Sequence, residues 1–315
     1  MCGATHFCRQ QDFSFSSVLT NENSIYLVYC GANSLHLSIH CSIAVSMLIR
    51  TTTIAGLLLV VILLPLFAVN PERGYKAKPD KYGVEFRESG IKTPDAARIN
   101  TWTFEPQNAA KIGTTVILAG GDAGNMSYLI TYADGLRKQG FRVVTFDYRG
   151  FGESSDFTTS REVLYYDEFT TDLQSVIGSV KRLYPTDKIG VLGFSMGTII
   201  AFQSAKPSLD FIAADSPVAS VRQTVERWSA KGKTLRYPSS GKSLEQTIQG
   251  ITIPIIVFAG KTDTFTPLDE AKSIVKGYEA KRRLVEYLGG HLEGWKLGET
   301  YFSTLKNFVQ QYCSK

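Results

Sequence analysis

Beyond residue 46 the sequence holds one cysteine, Cys313, and one histidine, His291, out of five and four in the whole chain. So little cysteine excludes a fold stapled by internal disulfides. Charge is also sparse in places: residues 1–46 carry only Arg9, Asp12 and Glu22, and no lysine. Those residues hold the other cysteines (Cys2, Cys8, Cys30, Cys41) and histidines (His6, His36, His40), but without the C-x2-C pairing of closed zinc sites. They are expected to be a disordered or non-native leader, with the functional chain beginning at Met47. The net charge of +5 is spread, and its longest basic run is Lys281-Arg282-Arg283. No nucleic-acid footprint follows from that. No glycine-rich phosphate loop and no metal motif is present, so no cofactor is expected.

One long hydrophobic run does occur. "TTTIAGLLLVVILLPLFAVN", residues 51–70, has no charge. As a helix, at about 1.5 Å per residue, it would span roughly 30 Å, the thickness of a bilayer core. A single-pass N-terminal membrane anchor is the expectation, although Pro65 interrupts it. The alternatives are a cleaved signal peptide, with a poor small-residue site around Ala68, and a buried core helix. Arg73, Lys76, Lys78 and Lys81 follow the run while Arg50 precedes it. That bias favours a cytoplasmic domain, yet long domains translocate regardless of local charge, which leaves the side of the membrane open.

Residues 71–82 read as a linker, and from residue 83 onward short apolar β-branched runs alternate with helical patterns. Strands are predicted near 83–88, 97–105, 114–120, 141–148, 187–194, 210–216, 253–260 and 282–289. Helices are predicted near 125–139, 163–184, 196–206, 267–278 and 294–311. The rhythm implies a doubly wound α/β domain, 83–315, with a mostly parallel sheet of about eight strands. Residues 221–252 form a small polar insert with six basic side chains, Arg222, Arg227, Lys231, Lys233, Arg236 and Lys242. So short a cap implies an open site.

Gly193-Phe194-Ser195-Met196-Gly197 is a G-x-S-x-G pentapeptide between an apolar strand pattern and a helical one. That context places Ser195 at a strained strand-to-helix turn with its hydroxyl exposed. A serine hydroxyl needs a base, and His291, after the last predicted strand, is the one histidine beyond residue 46. Asp263, after the preceding strand, completes the order serine, acid, histidine. Asp215 is the alternative acid.

Three further motifs carry a resemblance. "GGDAGNMS" (120–127), "FDYRGFGES" (146–154) and "GKTDTFTP" (260–267), together with the pentapeptide, resemble the α/β-hydrolase superfamily. Within it the chain is similar to the membrane-anchored serine hydrolases of the Bem-like α/β-hydrolase domain-containing group. The resemblance implies a Ser195–Asp263–His291 triad and an oxyanion hole built from the backbone N–H groups of Asp122 and Met196. It also implies that Tyr148, Arg149 and Gly150 brace a loop. Gly120 stands where the group has histidine, and Asp122 where it has asparagine. A carboxylate beside a developing oxyanion is unfavourable unless it points away.

The expected function is hydrolysis of carboxylic esters or thioesters through an acyl-enzyme, with a small acyl ester or lipid as substrate. The alternatives are a serine peptidase or acyltransferase on the same triad, or a non-catalytic binding protein that keeps the fold. Oligomeric state cannot be read from the sequence.

Overall fold

The computed structural model describes residues 17–21, 24–28 and 68–313, apart from 108–110, 161, 206–207, 233–234 and 238–242. Strands β1 (Ser17–Asn21) and β2 (Ser24–Val28) pair antiparallel within the stretch read as a leader. The apolar run at 51–67 lies outside the described residues. Among the described residues no helix is long and apolar enough to cross a membrane.

From Ala68 on, the chain builds a three-layer α/β domain. A short β3 (Asn70–Pro71) precedes β4 (Arg87–Lys92), β5 (Arg98–Phe104), β6 (Thr114–Ala119) and a short β7 (Ala123–Gly124). Next come β8 (Arg142–Phe146), β9 (Lys188–Phe194), β10 (Phe211–Asp215), β11 (Ile255–Gly260) and β12 (Arg282–Tyr287). The main sheet has eight strands in the order β12-β11-β10-β9-β6-β8-β5-β4. Its six strands from β12 to β8 are parallel, while β5 and β4 join antiparallel.

Parallel strands covered on both faces read as continuous apolar runs, and alternate side chains serve opposite faces. Ile117, Val191, Ile212 and Val257 pack on one face with Phe169, Ile199 and Ile274. Val116, Leu118, Leu192, Phe211 and Ile256 pack on the other with Leu136, Leu305 and Phe308. The first face is covered by α2 (Asp167–Leu183), α3 (Met196–Gln203) and α6 (Leu268–Val275). The second is covered by α1 (Ile130–Lys138) and α7 (Glu299–Cys313). In α2, Asp167 and Glu168 open the helix and Lys181 and Arg182 close it, complementing the macrodipole at both ends. Two short helices, α4 (Val221–Ser229) and α5 (Leu244–Gln249), form the insert.

The first predicted strand is displaced: residues 83–86 lie outside it, and β4 runs to Lys92. As an edge strand β4 is largely exposed, so its Glu-Ser-Gly content gave no apolar signal. The turn after it closes through the Thr93 N–H donating to Ala97 O at 2.9 Å. A larger difference lies just upstream. Residues 68–70, read as the end of the anchor, belong instead to the folded domain: Val69 is 1% exposed within the core and Asn70–Pro71, at the junction with the linker 71–82, pairs with Ala123–Gly124, which their composition did not signal.

Candidate active site

The C-terminal ends of the parallel strands share one edge, where α/β sheets bind ligands. Ser195 follows β9 directly, with φ 50° and ψ −115°, and its residue caps α3. A non-glycine side chain at that φ is strained, as the G-x-S-x-G turn predicts, and Ser195 is largely buried, reached from the cavity it lines. The flanking glycines are required by close approach. A Cβ at Gly193 would stand 2.6 Å from Gly197 O, and one at Gly197 would stand 2.2 Å from Ala119 O. The helix that begins at Met196 is apolar and fully buried through Phe202, so its N-terminus is fixed against the sheet edge.

His291 lies in the loop after β12. Its Nε2 accepts from Ser195 Oγ at 2.9 Å, and its Nδ1 donates to Asp263 Oδ2 at 2.8 Å, the neutral tautomer that this pairing requires. Asp263 is held by its own loop. Its Oδ1 accepts the N–H groups of Phe265 (2.8 Å) and Thr266 (2.9 Å), and its Oδ2 accepts the Thr266 hydroxyl (2.7 Å). Burial pushes the Asp263 carboxyl up, but the His291 and Thr266 hydrogen bonds outweigh it and hold the pKa below the ordinary carboxylate value. Asp263 therefore stays ionised beside the imidazole.

Asp215, the alternative acid, sits elsewhere. It is fully buried, with Tyr301 (3.0 Å), Ser216 (3.2 Å) and Tyr287 (3.4 Å) donating to its carboxyl. Burial raises it to about 6 against those bonds and the His291 charge. Its role is support: Ser216 Oγ also accepts the Leu292 N–H at 2.9 Å, beneath the histidine loop.

Asp122 and Met196 line a cavity of about 130 Å³ with Ser195 and His291. Its walls are apolar, from Ala68, Leu164, Val218, Trp228, Leu235 and Phe265. Burial raises the Asp122 carboxyl, while its own backbone N–H and the His291 charge act the other way. A second cavity of about 380 Å³ lies against the same loop and shares Asp122.

The loop after β8 is braced rather than reactive. Arg149 donates to the buried Asp172 from Nε (2.9 Å) and Nη2 (2.7 Å), and to Asp95 from Nη1 (2.6 Å). Gly150, at φ +86°, makes the turn. In the insert, Arg222, Arg227 and Arg236 are ion-paired with Glu226, Glu270 and Glu162, so these three basic residues are spent on structure. Lys233 and Lys242 lie outside the described residues.

Sequence reasoning missed Ala68, Leu164 and Leu235 as cavity walls. No signal could have found Ala68, which lies within the run 51–70 read as membrane anchor. Leu164 and Leu235 meet through the bridge between Val163 and Arg236, a pairing across 73 residues.

A family model described as serine aminopeptidase, S33, matches residues 110–237. Uncharacterized protein YfhR of Escherichia coli O157:H7 is 26% identical over 250 residues, 73% of this chain and 82% of that protein. Monoacylglycerol lipase ABHD2 of Danio rerio is 32% identical over 111 residues, 34% of this chain and 26% of the lipase. Among solved structures, the esterase Pf2001 of Pyrococcus furiosus superposes with a TM-score of 0.65 at 23% identity, covering 78% of this chain and 98% of the esterase. With the eight-stranded sheet and the strained serine turn, these likenesses show that the chain has the α/β-hydrolase fold and is similar to serine hydrolases that share it.

Proposed function

We propose that the protein is a serine hydrolase that cleaves carboxylic esters or thioesters through an acyl-enzyme on Ser195. The carrying observation is the hydrogen-bonded line Ser195 Oγ, His291 Nε2, His291 Nδ1, Asp263 Oδ2, at 2.9 and 2.8 Å, on a strained serine beside an apolar cavity.

In the proposed reaction Ser195 Oγ bonds to the acyl carbon as His291 Nε2 takes its proton. The carbonyl electron pair moves to oxygen, where the Asp122 and Met196 N–H groups stabilise it. The oxyanion collapses, the bond to the leaving alcohol or thiol breaks, and His291 returns the proton to that group. Water then attacks the acyl-enzyme, giving its proton to His291. The second collapse releases the carboxylic acid and restores the proton to Ser195. Throughout, the Asp263 carboxylate orients the imidazole and stabilises its charged form.

At about 130 Å³ the cavity is smaller than the roughly 300 Å³ at which drug-sized ligand sites begin. Its size supports a short acyl group. A panel of p-nitrophenyl esters tests this: turnover at butyrate well above palmitate, absent in Ser195→Ala, is expected, and no ester turnover by folded protein would overturn the reading. The match to the serine aminopeptidase model supports a peptidase as second reading, and aminoacyl p-nitroanilides in the same assay decide between them.

Ala68–Asn70 belong to the folded domain, so the run left for an anchor is 51–67, about 25 Å as a helix, and its lack of charge supports an uncleaved membrane anchor. A cut after Ala68 would leave an ammonium on Val69, which is 1% exposed, and an unpaired buried charge is costly. Retention in the pellet after carbonate extraction is the expected result.

A further inference from the structure

The segment Ala68–Lys76, which begins within the last three residues of the apolar run, crosses the loop that carries Asp122. The Asn70 N–H donates to Asp122 O at 2.7 Å, and the Glu72 N–H donates to Gly124 O at 2.9 Å. In return the Asn125 side-chain amide donates to the carbonyls of Glu72 (3.1 Å) and Gly74 (2.8 Å). The Lys76 N–H donates to Ser127 Oγ at 3.2 Å, and the Tyr128 hydroxyl donates to the Glu72 carboxylate at 2.8 Å. One end of the segment reaches the cavity itself, since Ala68 is among its walls. The other is anchored below: the Tyr75 hydroxyl donates to Asp147 Oδ2 at 2.6 Å, while Asp147 Oδ1 accepts the Met126 N–H at 2.7 Å. The strap also touches the neighbouring loop, where the Gly152 N–H donates to Glu72 O at 2.9 Å.

We infer that Ala68–Lys76 is a positioning segment for the oxyanion loop, fixing the residue whose backbone N–H stabilises the developing oxyanion; the inference rests on the serine-hydrolase reading above. A peptide carbonyl carries a partial negative charge, so one pointing into the hole would repel the oxyanion that the hole has to stabilise. The bond from Asn70 ties the Asp122 carbonyl to the strap and fixes the ψ of that residue. The loop cannot supply this by itself, because Gly120, Gly121 and Gly124 make it permissive and Gly124 already lies at φ +80°. Pre-set donors stabilise a transition state without reorganising, so loosening this loop lowers the rate of acylation more than it weakens binding of the ground state.

Proline at position 70 removes the N–H and alanine keeps it, so the two variants isolate the bond to Asp122 O. In the full chain, kcat and KM on p-nitrophenyl butyrate are measured for Asn70→Pro and Asn70→Ala, with thermal unfolding as the check on folding. The expected result is kcat at least tenfold lower in the proline variant than in the alanine variant, with KM within about threefold, approaching the roughly 10²-fold cost of losing one oxyanion donor. Equal kcat in the two folded variants would overturn the inference. Should Asn70→Pro fail to fold, Glu72→Ala and Tyr128→Phe decide. Each is expected to lower kcat several-fold at constant KM, with the double variant no worse than the poorer single one; wild-type kcat in both overturns the proposal. An inactive wild-type enzyme refutes the hydrolase reading instead, so the two failures are distinguishable.

Discussion

The loops that carry Ser195, Asp263 and His291 differ from the loop that carries Asp122 in what holds them. Ser195 is set by glycines two residues away on each side and by the strand and helix it joins. Asp263 is set by N–H groups two and three residues further on, and the Gly290 N–H donates to Glu293 within the histidine loop at 2.7 Å. The Asp122 loop, by contrast, depends on Asn70 and Glu72, about fifty residues earlier, and on Asp147 from β8's end. Ser195 and Asp263 are held mainly by their own neighbours, the histidine loop also leans on Ser216, and the Asp122 loop is held chiefly from the segment at 68–76.

Substitutions can break this contrast, and the largest effect is expected at Ser195 and Asp263. Ser195→Ala should lower kcat by about 10⁶-fold, as in other hydrolases of this chemistry, measured by ester turnover. Asp263→Asn should cost about 10⁴-fold by imposing the wrong imidazole tautomer. Asp215→Asn should cost less than tenfold by comparison, because that carboxyl touches Tyr301, Ser216 and Tyr287 rather than His291; comparable losses at 215 and 263 would exchange their roles.

Asp172→Ala sharpens the comparison from the side of stability. It leaves the buried Arg149 guanidinium with Asp95 alone and should destabilise the domain by about 3–5 kcal/mol in urea unfolding. Asp122→Asn should act in the opposite direction on rate. Asp122 lines the cavity with Ser195, and replacing its carboxylate by a neutral amide is expected to raise kcat a few-fold, read from the same ester assay. The smallest effect belongs to Asp95, partly exposed, whose pKa the hydrogen bond from Arg149 holds down at about 2. A depressed folded-state value stabilises above the unfolded value and is lost as pH falls through the folded one. Unfolding of wild type and Asp95→Asn should therefore differ most above pH 4 and converge towards pH 2.

The same contrast explains what the sequence disclosed. Six of the eight main strands, β5, β6, β8, β9, β10 and β11, are buried at nearly every position, and the sequence pattern places each to within about two residues, an ordinary precision for strand ends. The polar edge strand β4 was misplaced, because exposure removes the pattern on which such reading depends. Ser195, His291 and Asp263 were legible because strand, turn and residue type coincide within a few positions. The reading of Asp122 rests on resemblance alone, and the segment at 68–76 was not legible at all. Its bonds are mostly made by backbone groups, which every sequence has.

The most direct test is to treat folded protein with a fluorophosphonate and map the adduct by peptide mass spectrometry. The account predicts one adduct, on Ser195, absent in Ser195→Ala and strongly slowed in His291→Ala. An unlabelled wild-type protein, or an adduct on another serine, would contradict it.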